Sequence, residues 1–197
     1  VASLGRAADL IKPSLVTPGA SVFADSFDDA KLGPAWHIRT GTWTIHDGCI
    51  SGVKLATEPH PAKLELKQPW QDGILRFTFQ LDQPSGLDLM LYQGEKRVLV
   101  VQLRSEALAF GLYPENGPSK ARIVEQTSSG FAINVKHAVM IERRGGSFHI
   151  QADNGLSLQV NDTRLAPGFT SSLFTLHGDP PKTLTLDDVA ILSAKLP

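Results

Sequence analysis

The chain has 197 residues, 42% of them hydrophobic, and 19 basic against 20 acidic side chains leave a formal charge of −1. That balance excludes a field able to draw in nucleic acid or an anionic lipid surface, and no apolar run nears the ~18 residues of a membrane-spanning helix. A chain of this size should bury roughly 70% of the area its unfolded form exposes, so one core is expected to hold without a disulfide or a metal.

Residues 1–21 lack a sustained period and contain Pro13, Pro18 and Gly19. They are read as a leader or linker, with one short helix from Leu4 to Ile11, ahead of a domain spanning 22–197. From Val22 onward, β-rich runs recur about every eight to twelve residues between turn residues, the spacing of a sandwich or barrel. Trp36 and Trp43 are expected on adjoining strands as apolar anchors. Asp47-Gly48 is a turn that lets Ile45 and Ile50 face one core. Cys49 is alone, so no internal bridge can form, and it reads as a small buried hydrophobe. Trp70, between Pro69 and Gln71 and outside any clean strand, is the better candidate for an exposed aromatic.

The clearest strand is Gly73 to Leu81, where Leu75, Phe77, Phe79 and Leu81 alternate with Ile74, Arg76, Thr78 and Gln80, giving one dry and one largely polar face. Similar alternation at Leu87 to Tyr92 and Leu99 to Arg104 predicts a meander with it, followed by Leu108 to Tyr113. Val139 and Ile141, then Phe148 and Ile150, then Leu156 to Val160 repeat the pattern around the turns Gly145-Gly146 and Asn154-Gly155, the latter expected to have positive φ at both positions. The chain closes with Leu173 to His177 and Leu184 to Leu192. About thirteen strands and no core helix predict an all-β, two-sheet antiparallel jelly-roll sandwich. Leu75, Phe77, Phe79, Leu89, Leu91, Val101, Phe110, Ile141, Phe148 and Leu158 are its predicted core. No internal repeat of fixed length emerges, which argues against a propeller or solenoid.

The segment Phe23-Ala-Asp-Ser-Phe-Asp-Asp, with Leu32-Gly-Pro-Ala-Trp36, Gly41-Thr-Trp43, Asp47-Gly48 and the tail Leu184-Thr-Leu-Asp-Asp-Val-Ala-Ile, resembles concanavalin A-like or laminin-G-like jelly rolls. These occur in bacterial exported proteins and beside sugar-processing enzymes. The resemblance therefore implies a secreted, periplasmic or cell-envelope location and a saccharide as ligand. It also implies a structural calcium ion near Asp25, Asp187 and Asp188, against which stands the plainer reading that these carboxylates satisfy turn amides or face solvent. No other cofactor is expected.

Glycoside hydrolases of that superfamily carry acidic residues at alternating positions, roughly Glu-x-Asp-x-x-Glu. Retaining hydrolysis needs two carboxyl groups about 5–5.5 Å apart. The chain has no such run: Glu142 precedes Arg143 and Arg144, Glu65 stands between Leu64 and Leu66, and the pairs Asp28-Asp29 and Asp187-Asp188 would point to opposite sides of a strand. The six histidines show neither His-x-x-x-His nor His-x-His spacing, and Gly-x-Ser-x-Gly, phosphate-loop and dinucleotide signatures are missing.

The polar alternates supply a candidate ligand-binding concave face, Arg76, Gln80, Asp88, Tyr92, Gln102, Arg104, Tyr113, His149 and Gln151, together with Thr78. Its planar hydrogen-bonding and aromatic groups suit sugar hydroxyls and sugar C–H faces, though an ordinary solvated sheet face is also polar. Three functions stay open: a non-catalytic glycan-binding or interaction domain, which leads; a lyase or hydrolase of modified sugars; and a purely structural envelope or adhesion module. A lyase would need a base such as His149 or Tyr92 in one groove with an arginine.

Overall fold

The computed structural model describes residues 11–115, 120–178 and 182–195; the helix expected from Leu4 to Ile11 falls almost wholly outside them. The described residues form fifteen strands: β1 (Pro18–Asp25), β2 (Trp36–Thr40), β3 (Thr42–His46), β4 (Cys49–Val53), β5 (Lys63–Leu66), β6 (Gly73–Leu81), β7 (Gly86–Gln93), β8 (Lys96–Arg104), β9 (Leu108–Leu112), β10 (Arg122–Gln126), β11 (His137–Arg144), β12 (Ser147–Ala152), β13 (Ser157–Asn161), β14 (Ser171–His177) and β15 (Thr183–Ala194). An eight-stranded back sheet runs β13-β12-β11-β6-β15-β4-β3, with β1 added along β15, and a seven-stranded front sheet runs β10-β9-β8-β7-β14-β5-β2. Every pairing is antiparallel. The expected all-β, two-sheet sandwich is therefore what the chain forms.

All ten predicted core residues lie in the cluster between the sheets, because side chains of period two put every second residue on one face. Three expectations change. Strand β6 does not join a meander with β7; it pairs with β11 and β15 in the back sheet, and Asp82–Ser85 carries the chain across to the front, where β7 to β10 form the meander. Trp36 and Trp43 reach the core from opposite sheets rather than from adjoining strands. Trp70 is not exposed: reciprocal backbone hydrogen bonds with Phe169, at 3.0 and 2.9 Å, turn its ring inward against Phe148 and Phe169.

The turns show why particular residues are needed. Asp47 and Gly48 both have positive φ, 50° and 71°, as a two-residue hairpin turn requires. At Asn154-Gly155 only Gly155 does, at 85°, and Gly155 N–H donates to Ala152 O at 3.1 Å, so this hairpin uses a longer loop that ends in a left-handed glycine. Trp43 lies across Gly52, where a Cβ would fall 2.6 Å from the ring. Trp36 packs between Phe23, Phe27 and Phe174, with centroids 5.5–6.0 Å away, and its Nε1 donates to Asp25 at 2.8 Å. Cys49 is only half-buried, with its thiol donating to His46 O at 3.0 Å. Burial and then the Asp187 carboxylate push its pKa up.

One end of the sandwich is closed by a charge. Arg143 shares the parity of Val139 and Ile141, so its side chain turns inward and is 1% exposed. Its Nε donates to Leu165 O at 2.9 Å and an Nη to Ala166 O, just where the 3-10 turn Thr163–Leu165 ends, and the other Nη lies 2.9 Å from Asp72. The guanidinium also faces the Phe169 ring, 5.8 Å from its centroid.

Candidate functional site

The nine predicted site residues do not share a face. Arg76 and Gln80 (β6) and His149 and Gln151 (β12) lie on the outer side of the back sheet. Asp88 and Tyr92 (β7), Gln102 and Arg104 (β8), and Tyr113 just beyond β9 lie on the outer side of the front sheet. Alternation tells which side of its own sheet a residue takes, but long-range pairing decides which sheet a strand joins. His149 and Tyr92 are thus on opposite surfaces of the molecule, and the single groove that a His–Tyr–Arg lyase centre would need is not formed by them.

The back surface is not open at His149. Residues 11–17, assigned to the leader, lie across it as a strap, and β1 begins at Pro18, inside that same stretch. Ile11, Leu15 and Val16 pack on Ile74, Met140, Leu192 and Ala194, which explains an isoleucine on the otherwise polar side of β6. The fully buried Glu142 carboxylate receives the backbone amides of Ser14, Leu15 and Val16 at 2.7–3.0 Å, the Ser14 hydroxyl at 3.2 Å and Gln151 Nε2 at 3.0 Å. Gln151 also donates to Lys12 O. His149 Nδ1 lies 2.6 Å from Ser14 Oγ and 3.4 Å from Glu142, and its Nε2 lies 2.8 Å from Ser157 Oγ. Ser14 and Glu142 meet Nδ1 and Ser157 meets Nε2, but the Glu142 carboxylate stands 3.4 Å from the ring and is taken up by the strap amides, whereas the acid of a Ser–His–acid relay is hydrogen-bonded to the imidazole.

Burial pushes the Glu142 pKa up, but the three amides and the serine hydroxyl outweigh it, and the net direction is down from 4.5. A carboxyl with a depressed folded pKa stabilises fully above its ordinary value and loses that contribution as pH falls through the folded one. Acidification below that range should therefore loosen the strap. Amide hydrogen exchange at Ser14 to Val16, referenced to β6, should accelerate there and should already be faster at neutral pH in Glu142→Gln. Equal protection in both proteins would refute the assignment.

A depression of about 1200 Å³, lined among others by Val16, Trp70, Asp72 and Arg143, contains none of the nine predicted residues; the front surface holds a smaller one that contains Tyr92. The cross-strand rows of the front surface are Ser171, Tyr92 and Arg97; Glu65, Leu173 and Met90; and Lys63, Thr175, Asp88 and Gln102. A depression of about 460 Å³ lies here, lined among others by Tyr92, Leu173, Arg39, Glu65, Lys63 and Glu95. Arg39 and Glu65 pair at 2.7 Å, and Ser171 Oγ donates to the other Glu65 oxygen at 3.1 Å. Tyr92 is half-buried; burial pushes its phenol pKa up, with Arg97 acting the other way. Thr170 N–H donates to Tyr92 O at 2.7 Å and fixes the strand end beneath the ring. Arg97 lies over the Tyr113 ring, 4.9 Å from its centroid.

Farther along β7, Asp88 is buried on this outer face, gripped by Arg104 on one oxygen and 2.7 Å from His177 Nε2 on the other. Arg104 can lie flat there only because residue 86 is glycine, where a Cβ would meet its guanidinium at 2.0 Å. The front-face carboxylates Glu65 and Asp88 sit on β5 and β7 with β14 between, so their backbones are about 10 Å apart across the sheet. Each is held by an arginine. A retaining pair would stand about 5–5.5 Å apart.

Arg39, Lys63 and Arg97 were not singled out in the sequence, Glu65 was weighed there only as a catalytic acid, and His177 only as one of six histidines. The alternation Lys63-Leu-Glu65-Leu placed two of them on one face, but β5 is only four residues long. For calcium the fit is poor: Asp25 accepts Phe27 N–H and Trp36 Nε1, and Asp187 accepts Asp188 N–H and pairs with Lys136. Among the described residues no three His, Cys, Asp or Glu gather as a metal site.

Among solved structures, the chain is similar to an endo-β-1,3(4)-glucanase from family GH16, with 11% identity and a TM-score of 0.69 over 93% of this chain and 95% of that one. It is also similar to the metal-free carbohydrate recognition domain of Emp46p, at 13% and 0.69 over 92% and 99%. The carbohydrate-binding module CBM66 from Bacillus subtilis aligns at 14% and 0.54 over 81% and 92%. No protein-family model and no curated protein sequence matches the chain. At these identities the likeness shows the fold alone, a two-sheet jelly-roll sandwich of concanavalin A-like architecture.

Proposed function

We propose that the chain is a non-catalytic saccharide-binding domain of an exported protein and that it binds on the front face, around Tyr92. The observation that carries this reading is the half-buried Tyr92 ring in an open depression, flanked by the Arg39–Glu65 pair and by Lys63. A phenol ring offers a flat apolar surface to sugar C–H groups. The guanidinium and carboxylate beside it, already held in place by each other and by Ser171, present fixed donors and acceptors to hydroxyls. The carbohydrate-binding module and the recognition domain among the structural neighbours support the choice of ligand class. The wide spacing and arginine pairing of Glu65 and Asp88 support binding rather than hydrolysis.

Tyr92→Ala should weaken saccharide binding about five- to tenfold, the worth of one stacking contact, with little change in melting temperature because the ring lies outside the core. Isothermal titration against soluble glycans beside thermal unfolding checks both parts. Measurable turnover of any bound glycan would replace the binding reading with an enzymatic one.

A further inference from the structure

On the reading of the front face as a saccharide site, we infer that its ligand is an anionic saccharide, one that carries carboxylate or sulfate groups. Strands β2, β5, β7 and β8 present Arg39, Lys63, Arg97 and Arg104 on this face against Glu65 and Asp88, although the chain as a whole has a formal charge of −1. Both carboxylates are already neutralised, Glu65 by Arg39 and Asp88 by Arg104. Lys63 and Arg97 remain, one on either side of Tyr92, and neither has a carboxylate partner among the described residues. Lys63 lines the depression and is partly buried, so its charge is less screened than that of a fully exposed lysine.

Arg97 pairs with Tyr92 across β7 and β8 and rests on Tyr113, which holds the guanidinium in one place. A guanidinium set against an aromatic ring, even with one N–H given to the Tyr113 phenol, keeps further donors for the two oxygens of a carboxylate or sulfate. Glu95, which also lines the depression, is exposed at the tip of the β7–β8 hairpin, as are the neighbouring Lys96 and Arg97, so this end of the hairpin still carries an excess of positive charge.

The test uses the full chain and three probes: a galacturonate oligosaccharide, a sulfated galactan oligosaccharide and a neutral β-glucan oligosaccharide. Affinities are measured at about 50 mM and about 500 mM salt, between which screening of exposed charges rises steeply. One anionic probe should bind at least ~10-fold more tightly than the neutral one at low salt, and the two arms tell uronate from sulfate recognition. That preference should shrink at high salt and fall towards unity in Arg97→Gln, with a smaller loss in Lys63→Gln. Arg144→Gln makes the same change in net charge on the back sheet and should leave the preference intact. Equal affinity for neutral and anionic probes would overturn the inference and leave the saccharide reading standing. An anionic preference that Arg144→Gln reduces as much as Arg97→Gln would also overturn it, since it would report net charge and not this site. Binding of none of the probes, repeated across a broad glycan array, would remove both.

Discussion

Arg143→Met is expected to lower stability by about 3 kcal/mol, mostly the cost of leaving carbonyls at this end without their charged donor, since the half-exposed Asp72 regains water. At ~200 residues that corresponds to a fall in melting temperature of roughly 10 °C. The loss has two sources. Leu165 O and Ala166 O would be left without their donor, and Asp72 without its cation. Methionine fills much of the space, so the change isolates the polar contribution from that of a cavity. Arg143→Lys should recover little, because an ammonium cannot span two carbonyls and a carboxylate as the guanidinium does. If the methionine variant melts within about 2 °C of the parent, Arg143 is not the clamp of this end of the sandwich.

Phe79→Ala should cost a similar ~3–5 kcal/mol by a different route, the loss of an aromatic side chain and the cavity that remains. Phe79 is 1% exposed and meets Phe131 edge-to-face at 5.0 Å, His137 at 5.9 Å and Phe77 at 6.3 Å. These neighbours are held from separate strands and loops: His137 by Asp153 and Ala132 O, and Phe131 by its backbone bond to Arg104 O. They can close only partly over the void. Chemical denaturation should show a lower midpoint with an unchanged slope; an unchanged midpoint would mean that the core is packed in another phase.

The phase of each long strand was legible in the sequence because alternation over eight or nine residues permits one assignment only. Strand β6 appears with its predicted bounds, Gly73–Leu81. Sheet membership was not legible, since β6 and β7 are chain neighbours with the same pattern, and their separation follows from partners as distant as β15 and β14. That single unknown scattered the predicted binding face over two surfaces. The strap was missed for a related reason: Ile11, Leu15 and Val16 sustain neither a helical nor a strand period, and their role rests on Glu142, far along the chain, whose purpose no local pattern reveals. Trp70 misled because a residue in a two-residue bridge looks, in sequence, like one in a loop.

The pairing of β1 with β15 has a mechanical consequence. Pro18 lies opposite Ala194, and Lys195 N–H donates to Thr17 O at 2.8 Å, so β15 leaves the back sheet beside the point where the strap of residues 11–17 enters β1. Tension applied between the two ends of the described chain would first meet the amides of Ser14 to Val16 on Glu142 and then the hydrogen bonds of this antiparallel pair, parting them one after another from Thr17 onward in the manner of a zipper. The front sheet holds neither strand and lies outside the load path. A domain pulled by its ends could therefore yield length at β1 while the surface around Tyr92 keeps its shape and its grip.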